Sequence, residues 1–299
     1  MATSTYTAEL ALEVRAELGE GPVWDDRSQD LYFVDIEGRR VHAFHPIGRR
    51  HRSFEVDRMV GAVVLRDDGG LLLAAEDSFL SAAIDGSTIT PYCDFATGDN
   101  RVRFNDGKVD PKGRFLAGTM DRQGDDRICH LYMLHPNGTT TVLLDDIGCS
   151  NGLDWTSDGS VLYYIDTSRH TIDAFDVDPS TGGLSGRKLI AEIRDGSPDG
   201  MAIDDEGLLW VAVWGAARVD RIDPSSGQRI ATIEVPTALV SSVAFGGPSR
   251  RDLYITTARA ELDEAASDGQ PNAGDLFVAH LDVAGPLPHR FGSGSSTVA

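Results

Sequence analysis

The sequence predicts an all-β chain folded as a six-bladed β-propeller. Three observations carry this. A six-residue apolar run recurs six times at near-constant spacing, a Gly-containing turn signal precedes most copies, and no sustained helical period of apolar residues lies between them. The copies are Leu31-Tyr-Phe-Val-Asp-Ile, Leu71-Leu-Leu-Ala-Ala-Glu, Phe115-Leu-Ala-Gly-Thr-Met, Leu162-Tyr-Tyr-Ile-Asp-Thr, Leu209-Trp-Val-Ala-Val-Trp and Leu253-Tyr-Ile-Thr-Thr-Ala, at intervals of 40, 44, 47, 47 and 44 residues. Their β-branched and aromatic residues suit a pleated, buried surface. A repeat of roughly 40–50 residues built of short strands is the signature of a propeller blade, whereas a two-sheet sandwich has no fixed period.

The elements of each repeat follow in order. About ten residues before each run lies a short segment that should be the innermost strand: Glu20-Gly-Pro-Val-Trp, Val60-Gly-Ala-Val-Val, Asp106-Gly-Lys-Val-Asp, Asn151-Gly-Leu-Asp-Trp, Asp199-Gly-Met-Ala-Ile and Ser241-Ser-Val-Ala-Phe. The pairs Asp68-Gly69, Lys112-Gly113, Asp158-Gly159 and Glu206-Gly207 then turn the chain into the second strand, since Asp-Gly suits the positive φ angles of a tight hairpin. Third strands read Val41-His-Ala-Phe-His-Pro, Ile172-Asp-Ala-Phe-Asp-Val-Asp-Pro and Val219-Asp-Arg-Ile-Asp-Pro. Turns at Asp178-Pro-Ser-Thr-Gly and Asp223-Pro-Ser-Ser-Gly follow two of them. The pairs Asp25-Asp26 and Asp67-Asp68 read as solvated turns. Six repeats fill residues 1–291 as one domain, and residues 292–299, rich in Gly and Ser, read as a flexible tail.

In a propeller, equivalent places on the inner strands surround the central channel. The first place of the six segments forms a ring of Glu20, Val60, Asp106, Asn151, Asp199 and Ser241, and Gly follows in five of the six. The glycines let backbones approach closely in a narrow funnel. Glu20, Asn151 and Asp199 bring oxygen donors from three blades, a set that suits a hard cation such as Ca²⁺, Mg²⁺ or Mn²⁺. Solvated polar residues at strand starts would leave the same trace. Arg103 and Asn105, just before the third ring position, offer a donor fork and a mixed donor and acceptor at the rim. That pair suits a polyhydroxylated or carbonyl-bearing ligand, and a surface arginine paired with an acid is the alternative.

Charge and composition narrow the function. With 27 Lys and Arg against 47 Asp and Glu, the net charge is −20, which disfavours nucleic acid and anionic membranes as partners. No apolar stretch is long enough to span a bilayer, and the N-terminus lacks a secretory pattern, so the expectation is a cytoplasmic protein, a monomer or weak homo-oligomer. Cys93, Cys129 and Cys149 are odd in number and form no C-x-x-C, as expected for free thiols in a reducing compartment. Gly148-Cys-Ser-Asn-Gly152 matches G-x-S-x-G, but that nucleophile elbow needs a strand-to-helix turn and Leu153-Asp-Trp reads as strand. The histidines show no zinc-hydrolase spacing.

Four segments together carry a resemblance: Leu18-Gly-Glu-Gly-Pro-Val-Trp, Arg103-Phe-Asn-Asp-Gly-Lys-Val-Asp-Pro, Ser150-Asn-Gly-Leu-Asp-Trp and Pro198-Asp-Gly-Met-Ala-Ile-Asp. In order and spacing the chain, from about Glu17 to about Phe291, resembles the senescence marker protein/gluconolactonase/luciferin-regenerating enzyme family, which includes regucalcin-like sugar lactonases. The resemblance implies one catalytic divalent metal in the channel, with Glu20, Asn151 and Asp199 as ligands and Arg103 and Asn105 as substrate contacts. Ca²⁺ is the first expectation, with Mg²⁺, Mn²⁺, Zn²⁺ and Fe²⁺ as alternatives. It implies hydrolysis of a small-molecule sugar lactone such as gluconolactone or a pentonolactone, and Asp199, doubling as a ligand, is the candidate general base toward an acidified water. In animal members the loop after Gly-Thr-Met is longer and carries a substrate-touching Glu. Here Met120–Cys129 is shorter, and Asp121 or Gln123 is the substitute. Two other readings stay open at this stage: a phosphotriesterase, and a non-enzymatic calcium-binding regulatory protein.

Overall fold

The structure, a computed structural model, describes residues 4–124, 126–262 and 264–292. Six sheets, antiparallel but for one added strand, follow one another along the chain. Their inner strands are Gly19–Asp25, Val60–Leu65, Val102–Val109, Ser150–Trp155, Ser197–Ile203 and Val240–Gly246, numbered here as blades 1 to 6. Each inner strand packs on the next, and the last returns to the first. The predicted six-bladed propeller is the observed fold. Of the predicted tail, Gly292 closes a hydrogen bond from its N–H to Gly113 O at 2.9 Å, while residues 293–299 lie outside the described residues.

The ring is closed by the opposite end of the chain. Glu9–Leu12 is the outermost strand of blade 6, antiparallel to Leu276–His280. Ser4–Thr7 runs parallel to Gln228–Glu234 as a fifth strand on blade 5. These strands carry no repeat signal, because each lies far in sequence from its own blade. Closure by a borrowed strand adds backbone hydrogen bonds where side-chain packing alone would otherwise join the last blade to the first.

Apolar packing is divided into six wedges, each between two neighbouring blades. Tyr32 and Val34 of blade 1 meet Val63, Leu71 and Leu73 of blade 2, and Trp24 and Phe33 of blade 1 meet Tyr254 and Leu276 of blade 6. The Trp24 and Tyr254 rings stack at 6.0 Å and 7°. Because both faces of a blade are covered, the second strands are buried over most of their length, and wholly at Asp30–Asp35 and Leu71–Ala75. That explains why they read as continuous apolar runs rather than alternating ones. An outer strand such as Arg50–Glu55 is almost wholly exposed.

Two turn expectations need correcting. Gly69 has φ +93° but Asp68 does not enter the left-handed region. Gly69 N–H bonds back to Arg66 O, and Arg66 N–H bonds to Gly70 O. The loop is therefore an ordinary turn followed by one left-handed glycine, the longer hairpin form, and not a two-residue turn. Asp25 is not a solvated turn residue: it is 5% exposed. Its carboxylate accepts from Arg27 N–H and Ser28 Oγ and pairs with Arg290 at 2.6 Å. The same place in other blades holds Asp110 and Asp204, which bind turn amides and then Arg114 and Arg221.

Candidate functional site

All six inner strands carry a register shift at or beside the ring position: Glu20/Val23, Val60/Ala62, Phe104/Gly107, Asn151/Leu153, Pro198/Met201 and Val240/Ser242. A bulge bends its strand and re-aims one side chain, and here six of them act at one level of the channel. The ring glycines make the level narrow. A Cβ on Gly152 of blade 4 would lie 2.6 Å from Asp199 O of blade 5, and one on Gly61 of blade 2 would lie 2.4 Å from Phe104 O of blade 3.

The geometry brings Glu20, Asp106, Asn151 and Asp199 together as buried polar groups, each 7% exposed or less. Burial pushes the Glu20 carboxyl up to about 8. The Asp106 charge adds to the rise, and Gly21 N–H and the Arg103 guanidinium hold it back. Asp199 is raised well above the ordinary range, first by burial and then by the charges of Glu20 and Asp106. Asp106 is raised by burial against the opposing charge of Lys108. The causes are the expected ones for carboxylates crowded out of water.

Glu20 Oε2 accepts from Gly21 N–H at 2.8 Å. Asn151 Nδ2 donates to Thr167 Oγ1 at 3.0 Å. Among the described residues only four buried side-chain polar atoms lack any partner, and Asn151 Oδ1 and Asp199 Oδ1 are two of them. Buried oxygens in a native fold find a donor, a water or an ion. Two orphaned acceptors on adjacent blades, one amide and one carboxylate oxygen, beside the buried carboxyl of Glu20, fit a hard cation. Among the described residues no group of three or more His, Cys, Asp or Glu is arranged to hold a metal. The predicted ligand set has two carboxylates and one amide oxygen, which is a different kind of group.

Arg103 is 5% exposed. Its Nη1 donates to Phe104 O at 2.9 Å and to Asn105 Oδ1 at 2.8 Å, and among the described residues no carboxylate pairs with it. It is therefore not a surface arginine neutralised by an acid. Asn105 gives an amide N–H to Ser150 O at 2.9 Å. Cys149 lies against both asparagines, 3.8 Å from Asn105 Nδ2 and 4.0 Å from Asn151 Nδ2, and burial first, then the Asp199 charge, push its thiol up. Ser150 is fully buried, and Tyr164 OH donates to its hydroxyl at 2.8 Å, so it is not placed as a nucleophile.

Of the two loop residues, Asp121 pairs with Val102, next to the Arg103–Met120 pair. Asp121 is buried, with Oδ1 accepting from Gln123 N–H at 3.0 Å and Oδ2 without a partner. Gln123 is exposed. Beyond the ring, toward the far ends of the inner strands, lies a hollow of about 400 Å³ bordered by Val63, Asp106, Lys108, Met201 and Phe245. Lys108 Nζ spans its wall to Asp154 Oδ2 and Met201 O at 2.8 and 2.9 Å.

Sequence reasoning missed three members of the site. Asp106 stood in the ring but drew no role. Cys149 and Thr167 have no signal in spacing, since both arrive by way of the strand that precedes or follows.

Comparison with known proteins gives a consistent result. A family model described as the SMP-30/Gluconolactonase/LRE-like region matches residues 18–259. Regucalcin of Danio rerio is 40% identical over 293 residues, 96% of this chain and 99% of the relative. YvrE of Bacillus subtilis (strain 168), whose name is that of a sugar lactone lactonase, is 37% identical over 286 residues, 95% of this chain and 98% of the relative. The crystal structure of a calcium-binding regucalcin from Agrobacterium tumefaciens str. C58 superposes with a TM-score of 0.92 at 28% identity, covering 97% of this chain and 99% of that one.

Proposed function

Because the chain belongs to the SMP-30/gluconolactonase/LRE-like family, we propose that it is a cytoplasmic, divalent-metal-dependent hydrolase that opens a sugar lactone to the aldonic acid. The observation that carries this reading is the pair of unpartnered buried oxygens, Asn151 Oδ1 and Asp199 Oδ1, on neighbouring blades beside Glu20. Glu20, Asn151 and Asp199 are the residues that would hold the cation, with Ca²⁺ the first candidate. When bound, such a cation supplies Lewis acidity at a carbonyl and acidifies a water.

The chain's own groups do the rest. Arg103 has guanidinium N–H groups beyond those given to Phe104 O and Asn105 Oδ1, and these orient the lactone oxygens. The hydroxyls of a sugar and the carbonyl of its ring ester match that donor set. Asp199 takes the proton as the water oxygen bonds to the lactone carbon, and returns it to the ring oxygen as the ester C–O bond breaks. The free thiols Cys93, Cys129 and Cys149 agree with a reducing compartment, and no described helix is long and apolar enough to cross a membrane.

A panel of aldonolactones, followed by pH-stat on metal-stripped protein with each divalent ion restored in turn, tests the proposal. Ring opening that needs a divalent ion is the expected result, with a chromogenic phosphotriester turned over poorly. The calcium-binding description of the Agrobacterium relative favours a second reading, calcium binding without turnover. Calorimetric calcium binding with every lactone inert would select it.

A further inference from the structure

The geometry points to Thr167 as the positioning residue that turns the oxygen end of Asn151 into the channel. Thr167 opens the short 3₁₀ turn Thr167–Arg169 after the second strand of blade 4. Its hydroxyl has one proton and two lone pairs. Thr167 Oγ1 lies 2.7 Å from Pro198 O, and a carbonyl oxygen only accepts, so the proton is spent there. Toward Asn151, at 3.0 Å, the hydroxyl can then only accept. The amide must present its NH₂ to Thr167, which leaves Oδ1 on the other side, buried and without a partner. A reversed amide would set two acceptors against each other and aim N–H groups at the place a cation needs.

The same hydroxyl joins the two neighbouring oxygen donors. Pro198 O belongs to the peptide that leads into Asp199, so Thr167 sets blade 4 and blade 5 against each other at the level of the ring. Thr167 is itself held: its N–H bonds to Cys149 O at 3.0 Å, and its carbonyl accepts from His170 N–H at 3.0 Å. The preceding Asp166 is fixed by Arg127, Arg169 and Ser168. A change confined to the hydroxyl therefore leaves the backbone in place.

This inference rests on the proposed role of Asn151 as a cation ligand, and the test separates the two. Metal-free full-length protein is titrated with CaCl₂ by calorimetry as wild type, Thr167→Val, Thr167→Ser and Asn151→Ala. Groups that orient a metal ligand typically matter about 10–100-fold in affinity. Thr167→Val is expected to weaken calcium binding by that factor. Thr167→Ser should stay within about 3-fold of wild type, and the metal-free melting temperatures of both should match wild type. If Thr167→Val does not fold, Thr167→Ala takes its place in the same comparison. Wild-type affinity in Thr167→Val, or equal weakening in Thr167→Ser, overturns the role of the hydroxyl while Asn151→Ala still loses binding. No calcium binding by wild type, or full binding by Asn151→Ala, overturns the ligand reading and this inference with it.

Discussion

Replacing Gly152 by Ala tests whether the narrow ring is what places the site. Gly152 does not have a positive φ, so alanine meets no backbone penalty and the effect is steric alone. The added Cβ would lie 2.6 Å from Asp199 O, 2.7 Å from Met201 Cβ and 2.8 Å from Met201 N. Two of these are backbone atoms that no rotamer change can move. Ordinary contact begins at 3.4 Å, so the inner strands of blades 4 and 5 must part by about 0.8 Å, the difference between 3.4 and 2.6 Å. Overpacking of this kind costs about 1–3 kcal/mol. Because the displaced residue is Asp199 itself, a shift near 1 Å should also lower lactone turnover about 100-fold and weaken calcium binding. The assays are urea denaturation, calcium calorimetry and pH-stat. Gly207→Ala is the control: nothing lies within 4 Å of its Cβ but its φ is +82°. It should lose about 1 kcal/mol through backbone strain with no change in calcium affinity. Gly152→Ala with wild-type calcium affinity and turnover would refute the link between strand approach and site geometry, whatever its stability.

Other outcomes follow from the same contacts. Asp199→Asn and Glu20→Gln keep the shape and remove a carboxylate, so pH-stat should show lactone opening lost while circular dichroism is unchanged. Arg103→Lys keeps a charge but loses the rigid fork that serves Phe104 O and Asn105 Oδ1 from one nitrogen and leaves others for a ligand. It should cost one charge-assisted hydrogen bond, about 1.5–3 kcal/mol in kcat/KM. His42 sits 4.8 Å from the Phe33 ring in a stack. Burial first, then the charges of His51 and Arg40, lower its imidazole from 6.5 to about 3. A depressed histidine costs stability as pH falls through 6.5 toward 3, because the unfolded chain takes up the proton first. Between pH 7 and pH 5 wild type should lose about 2 kcal/mol more than His42→Phe in urea denaturation, and equal losses would show that His42 protonates in the fold.

The fold was legible because a propeller repeats its physics. Each blade needs the same buried second strand and the same turn, so Leu31, Leu71, Phe115, Leu162, Leu209 and Leu253 announce themselves by spacing. Ser4–Thr7 and Glu9–Leu12 were silent because ring closure places them on blades far away in sequence. The ring residues were legible for the same reason as the strands, since equivalence puts Glu20, Asn151 and Asp199 at one level. What surrounds them was not. Thr167 reaches Asn151 across a strand pair, and Cys149 is placed by the approach of blades 3 and 4. Arg290 finds Asp25 across 265 residues. Such contacts depend on how sheets pack, which no local pattern encodes. The short loop after Met120 illustrates the limit: Asp121 and Gln123 were singled out together, but one is buried and the other exposed.

Charge crowding in the channel gives the proposed cation site a further test, divalent against monovalent ions. Lys108 and Asp154 neutralise each other at 2.8 Å. Val60 and Ser241 complete the ring without charge. Arg103 opposes the charge of Glu20 and Lys108 that of Asp106, while Asp199 has no such cation, and burial raises all three carboxyls. Ionising Glu20 and Asp199 together would place two negative charges there, which one divalent ion cancels and one sodium ion only halves. Arg103 cannot cancel them, because its hydrogen bonds to Phe104 O and Asn105 Oδ1 hold it at the rim. Sodium at equal ionic strength should therefore leave calcium binding unchanged, whereas magnesium and manganese should compete. Sodium competing as well as magnesium would mean that Glu20 and Asp199 do not both share the site.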